Sequence, residues 1–127
     1  MDFLEHLGIT GFDPTQSAAD GDDAGLTLTT GPEHVNANGT VHGGLLATIL
    51  DSVMGQASRS ELKEGQSTAT VSMTVTYLRP GKIGDQLTAS AEVRQQGESL
   101  VLVEGEIVDP DGRSVAQGVG TYTVLDD

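Results

Sequence analysis

Residues 34–51 read H-V-N-A-N-G-T-V-H-G-G-L-L-A-T-I-L-D, placing Asn36, a Gly39-Thr40 turn, His42-Gly43-Gly44 and Asp51 within one short stretch. A glycine-rich run leading into an amphipathic helix leaves backbone N–H groups without intrahelical partners at the positive end of the helix. Such a terminus suits a developing oxyanion. Asp51 falls two turns into the same helix. A terminus that polarises an electrophile and a carboxylate are the parts needed for acyl transfer. No serine stands in a nucleophile-elbow context and the chain has no cysteine, which argues against a covalent triad. The remaining design is a carboxylate that acts on water as general base, or attacks directly, while helix-end N–H groups polarise the carbonyl.

Helix geometry separates Asp51 from an ordinary solvated acid. At 3.6 residues per turn, it points away from the apolar stripe of Leu46, Leu50, Val53 and Ala57 and shares its side with Gly44, Ala47, Thr48, Gly55 and Ser58. A solvent-facing side should carry several charges. This one carries small residues, including two glycines that weaken the helix, as expected where a ligand or another backbone comes close. Gly43 is either a flexible start to the helix or an unhindered N–H donor to a substrate carbonyl. Asn36 and Asn38 are turn formers by default. His42 is read as capping the helix or ordering the loop rather than as a base. His34, His42 and Asp51 match no compact ligand spacing, so no metal is expected.

The elements that must position these residues follow from periodicity. Residues 3–9 suit a short helix packing Phe3, Leu4 and Leu7, and the polar, turn-rich stretch 13–24 suits a loop. Gly25–Thr30 reads as a strand, and 43–62 has helical spacing with Leu45, Ile49 and Met54 flanking the stripe. From 67 the period becomes two, with Ala69, Val71, Met73, Val75 and Tyr77 expected on one face and Thr68, Thr70, Ser72, Thr74 and Thr76 on the other. Further strands are expected at 85–95, at 99–108 (where Leu100–Val103 suggests burial on both faces) and at 114–125. The order predicts an α+β fold in which one curved antiparallel sheet wraps a single long helix. Its open edges point to pairing in a symmetric dimer.

Size and charge bound the rest. At 127 residues the chain is expected to form one domain, with an N-terminal helix and loop over 1–24 and the core over 25–125. Nineteen acidic residues against six basic ones give a formal charge of −13, which makes nucleic acid and anionic membranes poor partners. With two lysines (Lys63 and Lys82), two phenylalanines and no tryptophan beside abundant Asp and Thr, the composition suggests a halophilic source, where salt screens self-repulsion. The start, M-D-F-L-E-H-L, has no basic region followed by an apolar stretch, and no apolar run reaches membrane-spanning length. A cytoplasmic location is expected.

The chain resembles the hotdog-fold acyl-CoA thioesterases of the PaaI type over about residues 30–125. The resemblance rests on the 34–51 segment, the strand V-S-M-T-V-T-Y-L-R-P-G-K-I-G-D and the closing D-G-R-S-V-A-Q-G-V-G-T-Y. It implies a hotdog fold and hydrolysis of acyl-CoA thioesters, with Asp51 as general base or nucleophile and the Gly43 N–H holding the thioester oxygen. Asn36 would position water or the carbonyl, and Thr70 would orient the water. Coenzyme A would lie along Tyr77–Lys82 and the turn at 95–100, engaging His42, Gly44, Tyr77, Arg79, Pro80, Lys82, Gln96 and Gly97. Four of the six basic residues, Arg59, Lys63, Arg79 and Lys82, fall between 59 and 82, with Arg94 near the turn. No cofactor is implied beyond the CoA of the substrate. The resemblance also implies a homodimer whose subunits share each site, and pairing of dimers into a homotetramer. The alternative is a non-catalytic acyl-CoA-binding or regulatory hotdog domain.

Overall fold

A computed structural model describes residues 3–9 and 24–126. Its elements are α1 (Phe3–His6), β1 (Ala24–Thr29), a 3-10 turn (Pro32–His34), α2 (Gly43–Ser58), β2 (Gln66–Tyr77), β3 (Gln86–Gln96), β4 (Leu100–Val108) and β5 (Ser114–Asp126). The five strands form one antiparallel sheet in the order β1-β3-β4-β5-β2, so β1 and β2 are its edges. The sheet curls around α2, the wrapped arrangement that the sequence predicts. The loop expected over 13–24 lies outside the described residues except for Ala24, which opens β1.

The core lies between α2 and the concave face of the sheet. Leu45, Leu46, Ile49, Leu50, Val53, Met54 and Ala57 of the helix are buried against Leu87 and Ala89 of β3, Val101, Val103 and Ile107 of β4, and Val115 and Ala116 of β5. The helix sits close to the strands. A Cβ on Gly105 would stand 2.9 Å from Met54 Cγ, so only glycine lets β4 approach there.

Four expectations need correction. The helix ends at Ser58, not at 62, because the chain must turn back to pair β2. Ser58 Oγ donates to the Gly55 carbonyl and bonds Thr68 Oγ1 at 2.7 Å, and the Arg59 N–H closes the last turn on Gln56 and Ala57. At the other end of the chain, α1 stops at His6 and leaves Phe3 exposed, although Leu4 is buried. In β4 the leucines are not buried on both faces: Val101 and Val103 point to the core, while Leu100 and Leu102 remain 50% and 38% exposed.

The fourth correction concerns β2, whose strict alternation is broken. Its register against β5 slips between Thr70 and Ser72, so Val71 is a bulge residue with no partner across the ladder. A bulge moves following side chains to the opposite face. Thr68 and Thr70 therefore face the helix before it, and Met73, Val75 and Tyr77 face the helix side after it. The edge that β2 offers is long and carries no charged residue from Ser67 to Tyr77, the kind of edge that another strand can extend.

Candidate active site

The segment before α2 is held by side-chain bonds to its own backbone. Asn36 Oδ1 accepts the Asn38 N–H at 2.9 Å, the Thr40 N–H at 3.2 Å and the Thr40 hydroxyl at 3.1 Å. That oxygen is committed to the turn, so what Asn36 can offer a substrate is its Nδ2 donor. His34 is buried, accepts the Gly31 N–H on Nδ1 and therefore donates from Nε2 to the Leu7 carbonyl, tying α1 to this loop. His42 is the N-cap residue, but its side chain makes no capping bond and is exposed. Its contribution to the loop is through the backbone: its N–H donates to the His34 carbonyl, and its own carbonyl accepts from Leu45 and Leu46.

Gly43 and Gly44 begin the helix, where N–H groups have no intrahelical acceptor. The Tyr77 hydroxyl donates to the Gly43 carbonyl at 2.9 Å, and a Cβ on Gly43 would stand 3.3 Å from the Tyr77 ring. A cavity of about 370 Å³ opens beside them, bounded by Thr40, Gly43, Leu46, Tyr77, Arg79 and Pro80 among others. Thus the structure brings Gly43, Tyr77, Arg79 and Pro80 together. Lys82 is exposed on the same connection, its N–H held by Asp85. Gly44 is exposed, and a Cβ there would meet open space.

Asp51 belongs to a different cluster. Its Oδ1 accepts the Thr70 hydroxyl at 2.9 Å and the Tyr122 hydroxyl at 2.7 Å. Thr70 and Tyr122 are direct partners across β2 and β5, so both hydroxyls reach the helix from one rung of the sheet. Sequence reasoning missed Tyr122, although a signal was present. Its strand turns Ala116, Gly118, Gly120 and Tyr122 inward, and an inward tyrosine needs a partner for its hydroxyl. Gly120 makes room for it, since a Cβ there would lie 2.9 Å from Tyr122 Cε1. Burial, followed by the adjacent Asp51 carboxylate, pushes the Tyr122 phenol far above its usual range. The raised phenol is the donor in its bond to Asp51.

The predicted residues therefore fall into two groups. Gln96 pairs with Val101, Val101 with Tyr122, and Tyr122 with Thr70, so Gln96-Gly97 lies at the Asp51 end of the sheet. Tyr77 pairs with Ala116, six residues from Tyr122 along β5, or about 20 Å. The basic residues divide the same way. Arg79 and Lys82 flank the Gly43 end, whereas Arg59 reaches Thr68 at 3.3 Å behind Asp51 and Arg94 pairs with Glu104 at 3.5 Å. Among the described residues no cluster of His, Asp and Glu has the makings of a metal site, and no helix is long and apolar enough to cross a membrane.

A curled antiparallel sheet around one helix, with a glycine-rich helix start and a carboxylate two turns on, defines a hotdog-fold protein of the thioesterase class. Residues 38–116 match the Thioesterase superfamily, and the chain belongs to that family. It is 36% identical over 87 residues to acyl-coenzyme A thioesterase 13 of Homo sapiens, covering 68% of this chain and 61% of that protein. The chain spans about three fifths of the length of the curated relatives it matches. The E. coli PaaI protein from the phenylacetic acid degradation operon superposes with a TM-score of 0.81 at 31% identity, over 96% of this chain and 83% of that one. A Bacillus halodurans protein crystallised with CoA gives 0.77 at 39% identity, over 87% and 72%.

Proposed function

We propose that the protein hydrolyses acyl-CoA thioesters to the free acid and CoA. The observation that carries this reading is the pair of groups on α2: N–H donors at Gly43 and Gly44 that have no acceptor within the helix, and a carboxylate at Asp51 held by hydroxyls from β2 and β5. The family name of the human and E. coli relatives supports the reaction class. Bound CoA in the Bacillus halodurans neighbour supports the ligand.

In this mechanism the Gly43 N–H, aided by the positive helix end, receives the thioester oxygen as charge develops on it. One such donor contributes about 10²–10³ in turnover. Asn36 Nδ2 donates to the same oxygen or to the attacking water. Acting as base, the Asp51 carboxylate takes a proton from water while the water oxygen bonds to the carbonyl carbon. The adduct then collapses, the carbon–sulfur bond breaks, and the CoA thiolate leaves with the proton held by Asp51. Acting as nucleophile, the same carboxylate adds to the carbonyl carbon, and the carbon–sulfur bond breaks as the CoA thiolate leaves and takes a proton from solvent. Water then hydrolyses the resulting anhydride to the free acid and the regenerated Asp51 carboxylate. The cavity beside Gly43, lined in part by Arg79, takes the CoA arm and its phosphates, with Lys82 exposed on the same connection. His42 and Gly44 line a separate hollow with Phe3, His34 and Thr48, on another side of the helix start from the Gly43 cavity.

Neither group completes a site alone. Gly43 and Asp51 belong to two half-sites of one protomer, and an antiparallel dimer formed through the uncharged β2 edge brings Gly43 of one subunit to Asp51 of the other. The Gln96-Gly97 turn, at the Asp51 end, then meets the CoA bound at the partner's Tyr77–Lys82 connection. Pairing of dimers into tetramers uses the outer face of the sheet, where Leu100, Leu102 and Val119 are exposed. The test is thiol release from a panel of aromatic, short-chain and long-chain acyl-CoAs in high KCl. Asp51→Asn is expected to lose at least about 10³-fold in kcat with dimer elution unchanged. Full activity in that variant would refute the mechanism. Saturable CoA binding by the wild type without thiol release would favour the non-catalytic alternative.

A further inference from the structure

Resting on the reading of Asp51 as the reacting carboxylate, we propose that Tyr122 is a positioning residue which, with Thr70, locks one oxygen of Asp51 so that Oδ2 is the reacting atom. Both hydroxyls donate to the same atom, Oδ1, at 2.7 Å from Tyr122 and 2.9 Å from Thr70. The Tyr122 hydroxyl also lies 3.3 Å from the Asp51 backbone carbonyl, so it references the carboxylate to the helix itself. Two donors on one oxygen fix the second torsion of the side chain, which is otherwise broad and two-fold. Charge-assisted bonds of this length are also the stronger kind.

The geometry around Tyr122 is built to hold the hydroxyl still. The side chain is 2% exposed. Its ring is flanked by Gly120, whose missing Cβ would clash at 2.9 Å, and by Gly55 on the helix, where a Cβ would sit 3.8 Å from Cε2. Thr70 reaches the same oxygen only because the bulge at Val71 follows it. In the register before the bulge Thr70 faces α2, and the chain then reverses so that Met73 and Val75 can still pack on the core. Side-chain requirements at two ends of one strand are met by a single unpaired residue. A buried hydroxyl needs only one acceptor; the convergence of a second donor, Thr70, on the same Asp51 oxygen is what goes beyond that need.

The experiment measures kcat and KM for Tyr122→Phe, Thr70→Val and Thr70→Ser, and for Tyr122→Phe combined with Asp51→Asn. Phenylalanine keeps the ring and the packing, and valine keeps the shape of threonine, so melting temperature and dimer elution report folding separately. The expected result is a fall of about tenfold to a hundredfold in kcat for Tyr122→Phe, as for loss of one hydrogen bond to a charged group, with KM little changed. Thr70→Ser, which restores the hydroxyl, recovers most of the rate lost in Thr70→Val. In the Asp51→Asn background, Tyr122→Phe produces no further loss. A Tyr122→Phe enzyme that folds and turns over at the wild-type rate, beside an inactive Asp51→Asn, would overturn the positioning role and leave the thioesterase reading intact. Activity retained in Asp51→Asn would instead remove the reading on which the role rests. A purely structural role predicts lower melting temperature with kcat unaffected in the folded fraction, and that outcome also refutes the proposal.

Discussion

Mixing two inactive variants tests the shared site quantitatively. Asp51 follows Gly43 by two helical turns, about 12 Å along the axis at about 1.5 Å per residue. The Gly43 N–H points out of the helix start, so an oxygen accepting from it lies roughly 3 Å farther away. A base acting through water on that carbonyl must lie within about 9 Å of the N–H donor. On these distances, in the proposed shared site, the two groups of one protomer act on different carbonyls. Asp51→Asn removes the carboxylate, and Gly43→Pro removes the donor. Proline suits this position: it is the first helical residue, and His42 before it has φ −56° and ψ 132°, a conformation that a following proline accepts. The added Cβ stands 3.3 Å from the Tyr77 ring, and Tyr77 is half-exposed and can yield. Each variant alone should be close to inactive. When the two are co-refolded in equal amounts, half of the dimers are mixed and each has one intact site. Thiol release should return to about one quarter of wild type, whether or not dimers pair further. Native mass spectrometry checks that mixed dimers form. If they form and activity stays at the level of the parents, the shared site is wrong.

Two further predictions concern stability. Asp109 accepts the N–H groups of Asp111 and Arg113 and the Arg113 guanidinium at 3.0 Å; withdrawal from water opposes its ionisation, but these bonds prevail and hold its carboxyl below the usual carboxylate range. Its contribution is thus fully present above the ordinary carboxylate pKa and is lost as pH falls through the lower folded value. Asp109→Asn should melt lower than wild type at pH 7, and the gap should close below about pH 4; a gap that persists at pH 2 would refute this origin. For the charge of −13, raising KCl from 0.1 to 1 M shortens the screening length from about 10 Å to about 3 Å. The melting temperature should then rise by about 5–10 °C, and a flat response in calorimetry would count against salt adaptation.

What the sequence made legible was local. The helix start at Gly43 and the order of the strands follow from period and turn chemistry. The bulge at Val71 did not, because an uncharged run of alternating Thr and apolar residues reads equally well in either phase. Pattern alone cannot say where a strand changes face; the demands of Asp51 at one end and the core at the other decide it. The cluster of cations was misleading for a related reason. Arg59 and Arg79 are close in sequence but sit at opposite ends of β2, so nearness along the chain concealed a separation in space.

The same logic explains why the most informative stretch of sequence does not form one site. A helix converts adjacency into distance, carrying Asp51 two turns away from the glycines that precede it. Sheet pairing does the opposite, drawing Thr70 and Tyr122 onto one rung although 52 positions divide them. Asp51 is consequently oriented by two strands remote in sequence, and in the proposed dimer it takes its electrophile from another subunit. Gly43 depends on Tyr77, whose hydroxyl grips its carbonyl. In the proposed symmetric dimer, antiparallel β2 edges bring the start of one helix toward the middle of the other. Substitutions along the β2 edge should therefore act on catalysis and assembly together, whereas Tyr122→Phe should act on catalysis alone.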